Sequence, residues 1–351
     1  MLSAISIMRG HMIGCGTTTY TEPDAFRVTT PELSANLVVT GAGPVRSRLT
    51  WVNMRRLRLI LVEAATPRIA FVSLGPAPVF VSLPMHGDGT VVWNGVPMRN
   101  GTLLFHSRRD QFHQRSTGTV RWGLIALARN DLGAHARALL GAELAWPQTT
   151  KLLRPPSSLF ADIRRLHTKA CGLARTRPDM LAHREVARAL EHDLLHALVN
   201  ALAGPETCAD AARRQRRAAI MARFEKVVAV QSDRQLSMAE LCAGTGVPER
   251  ALRRCCEEVL GLSPTAYVRL RRLSLVRAAL LRSDPTVATV GDVARHHGFS
   301  ELGRFAAAYR AAFGEQPSST LQGRSRAGRS AGAPIDRRQA RRSRDQPIVE
   351  P

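Results

Sequence analysis

Two stretches in the last third of the chain share one plan: "LSMAELCAGTGVPERALRRCCEEVLG" (236–261) and "VARHHGFSELGRFAAAYRAAFG" (293–314). Each sets a small residue four positions before a glycine, Cys242 before Gly246 and Ala294 before Gly298. An apolar wedge follows the glycine, Val247 in one and Phe299 in the other, and an amphipathic run follows the wedge. Two short helices joined by so tight a turn form a helix-turn-helix. In the first copy Ser237 and Glu240 have capping-box spacing, Pro248 opens the second helix at its first turn, and Gly261 closes it. Cys242 is small where the first helix is crossed closely, and Val247 and Leu252 fill the wedge. In the second copy Ser300 is the expected N-cap. Phe305, Tyr309 and Phe313 repeat at i+4, which makes their face core.

The adjacent His296 and His297 invite a metal reading. Helical neighbours point about 100° apart and do not converge on one ion, whereas i, i+3 and i, i+4 pairs do. Neither histidine has a Cys, His, Asp or Glu at such a spacing in a finger-like or H-E-x-x-H arrangement, so His297-Gly298-Phe299 reads as the turn of the second motif. Between the motifs run the 19 residues 265–283, roughly 28 Å as a helix. That approaches the ~34 Å of one DNA turn, so one rigid helix sets two readers in successive major grooves. Arg250, Arg253 and Arg254 stand at i, i+3 and i+4 on the outer face of the first motif's second helix. The bland alternative for each is a solvated face or a phosphate contact.

The net charge of +22 points toward a polyanion. Lysine is confined to Lys151, Lys169 and Lys226, so arginine supplies nearly all of it. The charge is spread out: residues 228–322 carry 12 basic and 9 acidic side chains, 1–227 carry 30 and 16, and 323–351 carry 8 and 3. Pattern, not charge, locates the nucleic-acid site.

Residues 21–130 hold short apolar or alternating runs punctuated by Gly, Pro or Asn every 8–12 residues, as in a sandwich or barrel. "WNGVPMRNG" (93–101) carries two Asn-Gly hairpin signals. A cupin-type metal centre needs H-x-H with a carboxylate and a later histidine; His106 and His113 stand too far apart and lack that companion. A barrel whose mouth holds a small ligand is the better reading. Residues 131–227 turn helical, with Val186, Leu190, Leu194, Leu198 and Leu202 at strict i+4 spacing, a stripe that serves as core or as a dimer seam. Beyond Gly323 the chain offers little to bury and reads as a disordered basic tail. Six scattered cysteines without CxxC suggest neither a zinc ribbon nor a disulfide framework. "MLSAISIMRG" lacks a basic n-region, and the longest uncharged run (69–85) is broken by glycine and prolines, so neither a signal peptide nor a membrane span is expected.

The segment 223–321 resembles the DNA-binding domain of AraC-family transcription regulators. The matching residues include Leu252, Gly261, Ser263, Pro264, Arg272, Leu273, Ala294, Gly298, Phe299, Phe305, Tyr309, Phe313, Gly314 and Pro317. The resemblance implies an α+β multidomain chain: a flexible N-terminus (1–20), a β-rich, β-barrel or cupin-like effector-sensing domain (21–135), a helical connector open to dimerisation (136–222), an all-α double helix-turn-helix domain (223–322) and the tail (323–351). It implies a bacterial cytoplasmic regulator, expected to be an activator, with double-stranded promoter DNA, RNA polymerase, a small-molecule effector and a second copy of itself as partners. No cofactor, metal or catalytic residue is expected. The DNA-binding set is Arg250, Arg253, Arg254, Ser300, Gly303 and Arg304. Two departures stand out. Cys256 replaces the family's usual aromatic residue. The second motif offers Leu302, Gly303, Ala306 and Ala307 where the family often reads bases, and such residues make few bonds to base edges. The first motif is therefore expected to carry most specificity, and the second to dock through backbone contacts, Ser300 and Arg304. The alternative reading is a cupin-like enzyme with an accessory DNA-binding module.

Overall fold

The period-two runs of the N-terminal half become two antiparallel sheets in the computed structural model, which describes residues 14–21, 28–29, 32–41, 46–85, 87, 89–203, 211–231 and 234–322. One sheet has seven strands: β1 (Gly14–Tyr20), β4 (Ser47–Asn53), β5 (Leu57–Ala64), β12 (Val120–Leu127), β7 (Val79–Pro84), β10 (Leu103–Phe105) and β13 (Lys151–Leu153), in that order. The other has six: β2 (Val28–Thr29), β3 (Leu33–Val39), β6 (Arg68–Leu74), β11 (Gln111–Thr117), β8 (Thr90–Trp93) and β9 (Val96–Pro97). Alternation along each strand sends one set of side chains between the sheets, where Val72, Phe80, Trp93, Leu104, Phe112 and Trp122 pack. Among the described residues the sheets are open, each with its own edges, and do not close into one barrel.

The first Asn-Gly signal makes a two-residue hairpin between β8 and β9, with Asn94 at φ 44° and Gly95 at φ 78°. The second, Asn100-Gly101, instead turns the chain out of one sheet and into the other.

Helices α1 (Arg129–Leu140), α2 (Ser157–Thr176), α3 (Pro178–Ala182) and α4 (Arg184–Leu202) cover the outer face of the seven-stranded sheet. Leu190, Leu194, Leu198 and Leu202 of the stripe are buried there with Val186 packed beside them. Each such leucine contributes about 1.5–3 kcal/mol through burial. The dimer-seam reading of the stripe is thus corrected: it packs within its own chain.

Helices α5 (Ala211–Val230), α6 (Met238–Thr245), α7 (Glu249–Leu260) and the first half of α8 (Pro264–Arg282) pack on the outer face of the six-stranded sheet, sharing one core with Val38 and Ile69. The rest of α8, with α9 (Val290–His296) and α10 (Leu302–Phe313), encloses a separate core. The layers therefore run helices, sheet, sheet, first motif.

Three expected boundaries move. Residues 14–20, assigned to a flexible N-terminus, form β1, because the Thr-rich run pairs in full register with β4. Lys151–Leu153, assigned to the connector, returns to the sheet beside β10. The helix that opens the DNA-binding module begins at Ala211, not 223, and its Met221, Phe224 and Val228 belong to the module's core. The tail 323–351 lies outside the described residues.

Candidate nucleic-acid interface

The first motif forms as its sequence directs. Ser237 and Glu240 complete a reciprocal capping box at the start of α6, which stops at Gly246 with φ 68°. Leu252 is fully buried in the wedge and Val247 half-buried. The close crossing falls at Gly244 rather than Cys242: an added Cβ there would lie 2.5 Å from Val227 of α5. Cys256 is buried in the core that also holds Phe224 and Tyr267, whose rings stand 5.8 Å apart.

Arg250, Arg253 and Arg254 all project from α7 into solvent. Two of them are held by carboxylates of the same helix, Arg253 by Glu249 at 2.7 Å and Arg254 by Glu258 at 3.0 Å. Glu258 also receives Arg213 and Arg217 from α5. Such exposed pairs are worth about 0.2–1 kcal/mol each, so they orient the arginines without preventing their transfer to a stronger acceptor. The Glu-to-Arg i+4 spacing was visible in the sequence; its effect is to place acidic groups on the reading face.

In the second motif Thr289 caps α9, accepting the Asp292 N–H. Gly298 takes the left-handed turn at φ 74°, and the Phe299 N–H reaches back to the Ala294 carbonyl at 3.0 Å. The N-cap of α10 is Glu301, one residue beyond the expected Ser300, and no side chain caps it. The Glu301 carboxylate instead pairs with Arg304 at 3.0 Å. Phe305 and Tyr309 are buried as expected. Ser300, Gly303 and Arg304 are exposed, and a Cβ added at Gly303 would meet nothing within 4 Å.

What fixes the second turn is Arg272 of α8. Its Nε and Nη2 donate to the His297 carbonyl at 3.1 and 2.7 Å, and its guanidinium lies 4.3 Å from the Phe299 ring centroid. The His296 and His297 rings stand 5.3 Å apart at 86°, and no group of three ligand residues able to hold a metal occurs among the described residues.

The structure brings Ser300 and Arg304 together across a cleft of about 550 Å³ with Gln235, Ser263, Thr265 and Arg269, residues that sequence reasoning did not single out. Arg250, Arg253 and Arg254 do not line it; they form a second, separate basic surface on α7. Arg269 is exposed on α8 and belongs to the cleft rather than to the α7 surface.

The two histidines considered for a metal point opposite ways. His106 is buried at the inner side of the sheets, with Ser82 Oγ 2.7 Å from its Nε2 and Asp110 3.0 Å from its Nδ1. Thr150 donates to the same carboxylate. This order of groups resembles a nucleophile relay, but Ser82 is only 1% exposed. His113 lies on the outer side and meets the DNA-binding module. Its Nε2 donates to Glu225 of α5 at 2.8 Å, Tyr267 donates to the same carboxylate at 2.6 Å, and Arg271 pairs with it. Burial pushes the Glu225 carboxyl up, but the His113 hydrogen bond and the charges of His113 and Arg271 outweigh it and hold the group down at about 2.

Paired short helices around glycine turns, basic outer faces and a rigid connecting helix define a helix-turn-helix DNA-binding module. Residues 241–323 match the family described as "Helix-turn-helix domain". The chain is 38% identical over 101 residues to the XylDLEGF operon transcriptional activator 2 of Pseudomonas putida, covering 28% of this chain and 64% of that one. It is 37% identical over 102 residues to the XylDLEGF operon transcriptional activator of the same organism, covering 28% of this chain and 32% of that one. The chain thus spans less than two thirds of the length of these relatives. Among solved structures it is similar to a probable AraC family transcriptional regulator from Rhodopseudomonas palustris, at 37% identity over 30% of this chain and 94% of that one, with TM-score 0.27. It is also similar to the AraC-like transcriptional activator CuxR, at 14% identity over 71% and 87%, with TM-score 0.35. The module is thus similar to the DNA-binding domains of AraC family transcriptional regulators.

Proposed function

We propose that the protein is a sequence-specific transcription regulator that grips promoter DNA with two helix-turn-helix motifs and activates transcription through contact with RNA polymerase. The observation that carries the reading is the placement of Arg250, Arg253 and Arg254 on the exposed face of α7, in a module whose fold is otherwise closed around its core. In this reading those three arginines reach base edges in one major groove, where a guanidinium suits the O6 and N7 of guanine. Ser300, Gly303 and Arg304 meet the next groove, Arg304 on phosphate, and Arg269 bridges the backbone between them. Glu249 and Glu257 on the same face disfavour misplaced phosphate and accept from cytosine N4. Curated relatives named as activators support the sense of regulation.

The two sheets serve as a cupin-like, barrel-derived effector unit over roughly 14–135, with the connector following and the module beginning near 211. A cleft of about 140 Å³ at one end of the sheets, lined by Met85, Val91, Met98, Val120 and Arg121, supports an effector of few heavy atoms entering there. A second copy pairing through 136–222 uses exposed residues of α4, such as His192 and His196, because the leucine stripe is occupied. No helix among the described residues is long and apolar enough to cross a membrane, which suits work in the cytoplasm. Curated relatives named as transcriptional activators support this reading over the enzyme alternative.

The test is gel retardation of the full chain on duplex fragments from its own locus, titrated with salt. Binding is expected to weaken steeply with salt, since each phosphate contact releases counterions. No retardation on any fragment, or salt-independent retardation, refutes the proposal.

A further inference from the structure

The side chains joining the sheets to the DNA-binding module are not evenly distributed over it. His113 and Arg115 alternate on the outer face of β11, in register with Phe71 and Ile69 of β6. His113 is 1% exposed and reaches the 2%-exposed Glu225, the acceptor shared with Tyr267 and Arg271 of α8. The ring of Phe71 stands 4.9 Å from that of His113, which stands 6.3 Å from that of Tyr267. Arg115 lies against Gly261 at the end of α7, and Gly95 of the β8–β9 turn lies against the Glu258 carbonyl. Every one of these contacts lands on α5, α7 or the first half of α8, the scaffold of the first motif. Among the described residues the second motif packs on α8 from Leu270 onward, in its own core.

A carboxylate buried to this degree is costly unless its partners stay in place, so the arrangement that keeps all three partners is favoured over one that parts them. Glu225 has three partners, of which two belong to the module and one to the sheet. Removing His113 leaves Glu225 paired with Arg271 and Tyr267, so the module keeps its fold while the buried polar tie to β11 is lost and the apolar contacts with Val38 and Ile69 remain.

Resting on the reading of the chain as a DNA-binding regulator, we propose that the His113–Glu225–Tyr267–Arg271 network is the joint through which the state of the β sheets reaches the first helix-turn-helix motif, and that the second motif stands outside its control. An effector acts on DNA binding by shifting β11, which moves the scaffold of α7 and leaves α10 where its own core holds it. Coupling of this kind is a free energy shared between two sites, and it requires an element that both bias. Glu225 is that element.

The experiment uses the full chain as wild type, His113→Leu and His113→Gln, the last keeping an N–H donor near the place of Nε2. Hydrogen exchange read by mass spectrometry needs no DNA. In His113→Leu, peptides from β11, α5, α7 and the first half of α8 are expected to exchange at least tenfold faster, those of α9 and α10 to stay within twofold of wild type, and His113→Gln to restore protection. A second arm measures retardation on a bound promoter fragment with one or the other half-site scrambled. His113→Leu is expected to change affinity at least threefold only where the first motif's half-site is intact. Equal acceleration in both motifs, no acceleration in either, or a Gln variant indistinguishable from Leu overturns the joint. Wild-type chain that binds no promoter DNA defeats the regulator reading alone, and the exchange arm still decides the joint.

Discussion

The two helix-turn-helix motifs share a plan and differ in what surrounds them. The first lies in one core with the outer face of the six-stranded sheet, presents three arginines, and is tied to the sheet through a buried carboxylate. The second has its own core of Phe305, Tyr309 and Leu321 with α8, a reading face of small residues, and a turn clamped by Arg272. The comparison teaches that repeating a local motif does not repeat its role. Under the proposals above, a left-handed glycine turn serves a reader under control in one place and a self-supporting anchor in the other.

Core truncation breaks the comparison most severely. Phe305→Ala and Phe224→Ala each are expected to cost about 3–5 kcal/mol, measured by denaturant unfolding. Exchange in Phe305→Ala is expected to rise in α9, α10 and the later part of α8 and not in the sheets, because that core is separate. Phe224→Ala is expected to loosen β3 and β6 as well, since Val38 and Ile69 share its core. Identical exchange maps from the two variants would erase the distinction.

Next in size is the clamp. Arg272→Ala removes two hydrogen bonds to the His297 carbonyl and the contact over Phe299, at a cost of about 2–3 kcal/mol. Exchange at residues 296–300 is expected to rise first. Arg272→Lys cannot supply the fork and is expected to recover little of the loss. Full recovery by lysine would mean that charge alone sufficed.

Acid sharpens the contrast by another route. The Glu225 carboxyl lies at about 2 in the fold, against an ordinary value of 4.5. Its native pKa is depressed, so its contribution to stability is complete above about 4.5 and is lost as pH falls from there toward 2. The unfolding free energy is expected to fall through that window, and Glu225→Gln to flatten the fall. An unchanged slope in that variant would show that the carboxylate does not carry the acid sensitivity of the joint.

Much of the second motif and most of the first were legible because their signals are local. Ser237 with Glu240, Gly246, Gly261, Gly298 and the Phe305–Tyr309–Phe313 face each depend on residues a turn or less apart. The slip of the α10 cap from Ser300 to Glu301 is one residue, the scale at which local rules compete. What lay hidden depends on residues far apart in sequence. Glu225 meets His113 across 112 positions and Arg271 across 46, and Arg272 clamps a turn 25 residues on. The leucine stripe was plain, yet its pattern is the same whether it faces a second chain or its own α2. Strand β1 was missed because threonines with little apolar alternation read as linker until β4 lies beside them. The close crossing at Gly244 was placed two residues early because small residues there are three in a row.

Base reading gives a smaller effect but separates the motifs by function. Arg253→Ala is expected to relax preference at one or two positions of one half-site, costing about 1–3 kcal/mol there. Arg304→Ala is expected to weaken all sequences alike and lower the salt slope by about one contact. The reverse assignment in a randomised-duplex selection would invert the roles given to α7 and α10. Smallest is the tail: truncation after Gln322 removes eight arginines and is expected to leave the preferred sequence unchanged with a shallower salt slope. A changed preference would make the tail a reader.

The central claim is that the full chain reads duplex DNA chiefly through α7. Selection of wild-type full chain from a randomised duplex pool, at fixed salt, tests it most directly. The predicted result is a strongly specified half-site, flanked about one helical turn away by a weakly specified one, with the strong site alone degraded when Arg250, Arg253 and Arg254 are replaced by alanine. Two equally specified half-sites, or a preference that survives that replacement, would contradict it.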